Sequence, residues 1–185
     1  MTENTPLATG ANVVKFWAEA GPDRWFTKDD AFDAEIRRRF LPTHEAAAAG
    51  KLAAWEATPE GTLALLILLD QFPRNMFRGS ARAFATDPQA RAITASALLR
   101  GFDAQVPSDL RAFFYLPFEH SEDVADQDRG VALYTAAGDT DGLKWAQIHH
   151  DIIARFGRFP HRNAVLGRAT TAEEQAFLDG GGFAG

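Results

Sequence analysis

The chain has no cysteine among its 185 residues. That absence excludes a disulfide framework, thiolate chemistry and cysteine-ligated zinc, and it suits a reducing, cytoplasmic setting. Long hydrophobic runs are missing too. The strongest, Leu63-Ala-Leu-Leu-Ile-Leu-Leu69, is far shorter than the roughly 20 apolar residues a membrane-spanning helix needs, so it reads as a core helix. Met1-Thr-Glu-Asn-Thr-Pro-Leu7 lacks the basic-then-apolar layout of a secretory leader. Positive charge is in deficit. A formal net charge of -6 gives a field that repels nucleic acid and anionic lipid, and no extended basic face offsets it. The expectation is therefore a cytoplasmic protein with no nucleic-acid or membrane partner. No Gly-x-Ser-x-Gly elbow, Walker loop or Gly-x-Gly-x-x-Gly fingerprint occurs, which removes the readable hydrolase and nucleotide signatures.

Strand signals are absent as well: nothing alternates convincingly, and no Asn-Gly hairpin turn appears. Helix punctuation is dense instead. Thr58-Pro59 and Asp87-Pro88 place a capping residue before a first-turn proline, and Thr171-Ala-Glu-Glu174 has capping-box spacing. Thr27, Ser108, Ser121 and Thr140 are further candidate caps. Glycines 21, 50, 101, 138 and 157 close apolar-periodic stretches. These signals predict helices over about 11–20, 28–40, 44–49, 59–72, 87–100, 109–116, 122–137, 141–156 and 172–179. Trp145, Ile148, Ile152 and Phe156 mark one buried stripe, with His149 and Ile153 on its border. The fold class is all-α, with antiparallel helical hairpins packed in layers and no readable repeat. One domain over 1–185 is expected, loosely ordered at 1–10 and 180–185.

Three polar islands stand out in this apolar frame: Asp70-Gln-Phe-Pro-Arg-Asn75, Pro117-Phe-Glu-His-Ser-Glu-Asp123 and Arg155-Phe-Gly-Arg-Phe-Pro-His-Arg-Asn163. Guanidinium groups set among phenylalanines need a partner, because a buried unpaired charge is costly. One solution is an internal network, for which Glu119, Glu122, Asp123, Asp126 and Asp128 are the upstream acids. The other is a small anionic ligand gripped by Arg74, Arg158 and Arg162, with Asn75 and Asn163 donating hydrogen bonds. His120, His149 or His161 would then move protons, and Asp70 or Glu119 would orient a histidine. Asp70 follows a core helix, where the helix dipole opposes its charge, so Arg74 or Arg78 must compensate. His149-His150-Asp151, with His120 upstream and Asp179 beyond, invites a lesser comparison with metal-dependent phosphohydrolases of His-Asp type. Neither a metal site nor a cofactor is otherwise indicated.

Phe16-Trp17, Trp25-Phe26, His44-Glu45, Leu69–Asn75, Pro117–Glu122, Arg155–Asn163, Leu166-Gly-Arg168 and Glu173-Glu174 together resemble the bacterial family called domain of unknown function 924. The resemblance runs along nearly the whole chain. Ala169-Thr170-Thr171 departs from it where the family pattern has a Ser-Thr cap. It implies a tetratricopeptide-like helical fold but brings no activity, cofactor or catalytic residue. Two functions of different class follow: a pocket that binds and acts on a small anion, and a scaffold for a protein or peptide whose polar islands only lock helices together.

Overall fold

The computed structural model describes residues 6–184, and among them every regular element is helical. The chain packs as two compact units. The first comprises the residues up to Arg78 together with Arg82–Pro117; the second comprises Gly79–Ala81 and the residues from Phe118 onward. Parts of the expected loose ends, 1–5 and 185, lie outside the described residues. Within them, the Ala8 amide donates to Thr43 and Thr9 caps the first helix, while the Gly182 amide donates to the Phe177 carbonyl.

In the first unit, α1 (Gly10–Ala20) and α6 (Asp87–Leu99) pack against α4 (Pro59–Leu66), while α3 (Asp30–Ala48) packs against the segment that follows α4; the short α2 (Pro22–Trp25) comes after α1. Leu63 through Leu69 are all buried, as expected of a helix that is apolar on every side and enclosed by neighbours. Phe16, Trp17, Phe32, Phe40 and Phe72 form a ring cluster beside it, with centroids 4.9–6.2 Å apart. The expected break between helices 28–40 and 44–49 does not occur. α3 runs through Pro42, because buried Phe40 on one side and buried Thr43, His44, Ala46 and Ala47 on the other hold both halves against the core.

The expected helix over 59–72 is instead α4, one wide π turn (Ile67–Gln71) and α5 (Phe72–Met76). Pro73 supplies the cause. It has no amide hydrogen, so the carbonyls one turn back lose a donor inside a dry core. Side chains replace it. His44 Nδ1 sits 2.8 Å from the Leu68 carbonyl, the Thr86 hydroxyl donates to the Leu69 carbonyl, and Arg74 donates to the Asp70 carbonyl. Since a carbonyl only accepts, His44 carries its proton on Nδ1. Burial pushes the His44 imidazole below its usual pKa, against the opposing hydrogen bond to Leu68.

In the second unit, α8 (Val124–Ala137) and α9 (Thr140–Phe156) form a hairpin closed by Gly138 at φ 68°. A turn over Phe159–Asn163 and α10 (Ala172–Asp179) follow. The buried line of α9 is Ala146, His149, Ile152 and Ile153. His149 is thus a core position and not a border one, while Trp145 is 50% exposed. Several caps shift to a nearby aspartate. Asp29, Asp123 and Asp139 accept the first-turn amides where Thr27, Ser121 and Thr140 were candidates, since an anion gains both the hydrogen bond and the helix dipole. Ser108 opens a 3-10 turn (Ser108–Phe114) with no side-chain cap, and Asp87 is taken by Arg74. Thr58 and the Thr171–Glu174 capping box stand as expected, and so do the five glycines, all at positive φ.

Candidate functional site

The islands fall into two sets. Asp70, Arg74 and Asn75 belong to the first unit, and each has partners there. Arg74 forks onto Asp87 with two 3.0 Å bonds and lies 3.4 Å from an Asp70 oxygen. Burial alone would lower the Arg74 pKa, but Asp70 and Asp87 hold it above its ordinary value. The second Asp70 oxygen accepts from Gln71, and Asn75 joins Arg78 on Asp33. Arg74 therefore supplies the cation that Asp70 needs, while Arg78 serves another acid.

In the second unit the arginines divide by partner. Arg158 forks onto Glu174 at 2.6 and 2.9 Å, and Asn163 donates to the same carboxylate. Arg158 first, and then the Thr171 amide, pull the Glu174 pKa down to about 2. Arg168 forks onto Glu122, whose other donor is the Phe159 amide. Burial works against that carboxylate's charge, yet Arg168 and Phe159 hold its pKa below the usual range. Arg168 also donates to the Phe159 carbonyl, so both backbone groups of Phe159 are pinned. Arg155 pairs with Glu173 at the surface. These bonds build the turn that presents Phe159, His161 and Arg162.

What that turn presents is a cluster of imidazoles. His149 Nδ1 lies 3.1 Å from Glu119 Oε1 and 2.8 Å from the Trp145 carbonyl, with both side chains of the His149–Glu119 pair more than nine-tenths buried. Two acceptors around Nδ1 assign the proton to that nitrogen, leaving Nε2 as the basic atom of the neutral ring. The His120 ring is 6.4 Å from His149, centroid to centroid. His149 and His161 both pack on Phe159, at 5.5 and 5.6 Å. The Arg162 guanidinium lies over the same Phe159 ring at 4.4 Å and donates to the His120 carbonyl at 3.0 Å. His120 and His161 are half-buried, so the cluster reaches solvent through them. Glu119, His120, His149, His161 and Arg162 are thereby brought together on one unit.

The family whose members are described as bacterial protein of unknown function (DUF924) matches residues 13–182. The chain belongs to that family. A solved structure titled as the protein of unknown function ATU0120 from Agrobacterium tumefaciens shares 51% of its sequence, over 92% of this chain and 97% of that one, with a TM-score of 0.90. No match was found among curated proteins.

For this DUF924 protein the family and its solved relative support the all-α fold and leave the reaction open. The His-Asp comparison gains nothing from the geometry. His150 lies near Asp128 and Asp151 at the surface, Asp179 accepts from Gln175, and among the described residues no group of three or more His, Asp or Glu side chains could hold a metal ion. Sequence reasoning missed two contributors. Gln127 is buried in α8, and its amide donates to the carbonyls of Glu119 and Ser121 at 2.7 Å, gathering the turn that carries Glu119 and His120. Phe183 packs on His149 at 4.5 Å and on His161 at 5.3 Å. The first had no signal in sequence. The second was a lone phenylalanine after three glycines, a faint sign of a placed ring.

Proposed function

We propose that the second unit carries a small-molecule site in which the Glu119–His149 pair moves a proton and Arg162, with His120 and His161, receives an anionic group. The observation that carries this reading is the buried 3.1 Å Glu119–His149 contact, flanked by two half-buried histidines. A carboxylate behind Nδ1 fixes the ring and stabilises the imidazolium, so Nε2 can accept a proton from a bound group and return it. Arg162 brings a permanent positive charge to a turn held by framework bonds, and a planar guanidinium suits carboxylate and phosphate alike. Arg158, Arg168 and Asn163, whose donors go to Glu174 and Glu122, belong to the framework of this site. The absence of cysteine fits a cytoplasmic setting, and no helix among the described residues is long and apolar enough to cross a membrane.

The test is a melting-temperature panel with inorganic phosphate, phosphate monoesters and short carboxylates. At a hundredfold excess over Kd, a ligand should stabilise the wild type by about 2.7 kcal/mol. His149→Gln, which keeps a donor toward Glu119, should remain folded and lose the response. Identical responses of wild type and variant to every anion would refute the site.

A second reading, a tetratricopeptide-like interaction scaffold, draws support from one specific feature. Arg74, Arg155, Arg158 and Arg168 all end on internal carboxylates, as islands that merely lock helices would require. It is distinguished by the same panel, in which a scaffold responds to none of the small anions.

A further inference from the structure

Phe183 reaches the histidine cluster by an unusual route. It follows Gly180-Gly-Gly182, whose last two positions call for glycine. Gly181 sits at φ 80°, and a Cβ on Gly182 would lie 2.5 Å from the Phe177 ring. Three amides in a row, those of Gly180, Gly181 and Gly182, donate back to carbonyls of α10. The segment is therefore docked in a defined course that delivers one ring. That ring stands 62° to the His149 plane and 80° to the His161 plane, and its centroid lies 6.5 Å from Trp145. Trp145 is half-exposed at the start of the same face of α9, one turn before His149.

The polar side of the cluster thus ends against two large aromatic side chains, of which one is presented to water. A bare inorganic ion would meet only the polar side of the cluster and leave the indole exposed. A guest with a flat apolar body beside its charge would cover the indole as well, through ring–ring contact and removal of apolar surface from water. The centroid distances of 4.5–6.5 Å from Phe183 to His149, His161 and Trp145 are those at which aromatic rings favour one another, so the ring is held in place by the cluster it borders.

Resting on the site proposed above, we propose that Phe183 and Trp145 form the apolar wall that sets its ligand class, selecting small anions that carry an aromatic ring. Phe183 is then a specificity-determining residue and Trp145 the platform on which the ring lies.

Calorimetric titration of the full chain with phenyl phosphate and with methyl phosphate tests this, because the two share a charged head and differ in the ring. Phenyl phosphate should bind the wild type about tenfold tighter, as one added aromatic contact with its buried area implies. Trp145→Ala should bring phenyl phosphate down toward methyl phosphate while methyl phosphate keeps its affinity, and Phe183→Ala should weaken phenyl phosphate by a larger factor than methyl phosphate. Trp145 is surface-lying, so its variant keeps its fold, and indole fluorescence gives a direct readout of ring binding in the wild type. Equal wild-type affinities for the two esters would overturn the wall and leave the anion site standing. Tighter binding of both esters by Phe183→Ala would overturn it too, showing a plug in place of a wall. Binding of neither ester would overturn the anion site itself.

Discussion

The Asp70–Asn75 island of the first unit and the Arg155–Asn163 island of the second have similar composition and are built into different settings. In the first, a proline inside a buried helix forces a wide turn, and His44, Thr86 and Arg74 each restore a carbonyl's hydrogen bond. In the second, forked arginine–carboxylate pairs fix a turn, and the groups they present are a buried carboxylate–imidazole pair, two half-buried histidines and an arginine. The lesson concerns the partner. Where each polar group answers a backbone group or an opposite charge, the island is architecture. Where imidazoles gather behind such architecture and two of them are half-buried, as in the second island, the proposed site finds its groups.

Breaking the first island should have the largest effect. Arg74→Ala removes the guanidinium that buried Asp70 and Asp87 share and should cost about 3–5 kcal/mol in urea unfolding. A loss below about 1 kcal/mol would place that clasp among surface pairs. His44→Ala and Thr86→Val strand one carbonyl each, for about 1–3 kcal/mol, measured the same way. The two losses should fall on the first unit's amide-exchange protection and spare the second unit's.

Acid separates the units by pH. His44 has a lowered folded pKa, so the unfolded chain takes up its proton more readily and the stability it contributes is complete above about 6.5, fading as pH falls below that value. Glu174 is lowered from 4.5 to about 2, so its contribution is complete above 4.5 and is lost on the way down to about 2. Amide exchange followed from pH 7 to 3 should therefore weaken in the first unit before the second. Glu174→Gln should flatten the second unit's response below 4.5, and an unchanged slope would remove Glu174 from that role. The smallest effect belongs to Arg155→Ala. Its pair with Glu173 is more than half exposed, and its loss should cost at most about 1 kcal/mol by thermal melting.

Much of this was legible in sequence because it rests on local chemistry. Thr58-Pro59, the Thr171–Glu174 box and glycines 21, 50, 101, 138 and 157 act through backbone geometry within a few residues, and the structure keeps them. The continuous helix through Pro42 was not legible, since tertiary packing on both sides overrides the proline. The π turn was hidden for the same reason: its bonds come from His44 and Thr86, both more than ten residues away in sequence. Among site residues, His120, His149, His161 and Glu119 could be picked out as unusual types in an apolar frame. Their pairing could not, because it depends on which face of α9 turns inward, and the apolar stripe put His149 at an edge. Glu174 was legible as a cap but not as the partner of Arg158; a single buried carboxylate does both.

The most direct measurement follows all five histidine rings by NMR while methyl phosphate is titrated into the folded protein. The expected result is a joint, saturating movement of His120, His149 and His161, with neutral His149 carrying its proton on Nδ1 and with His44 and His150 unmoved. Five stationary rings, or movement of His44 to the same extent as His149, would contradict a ligand site at the Glu119–His149 pair.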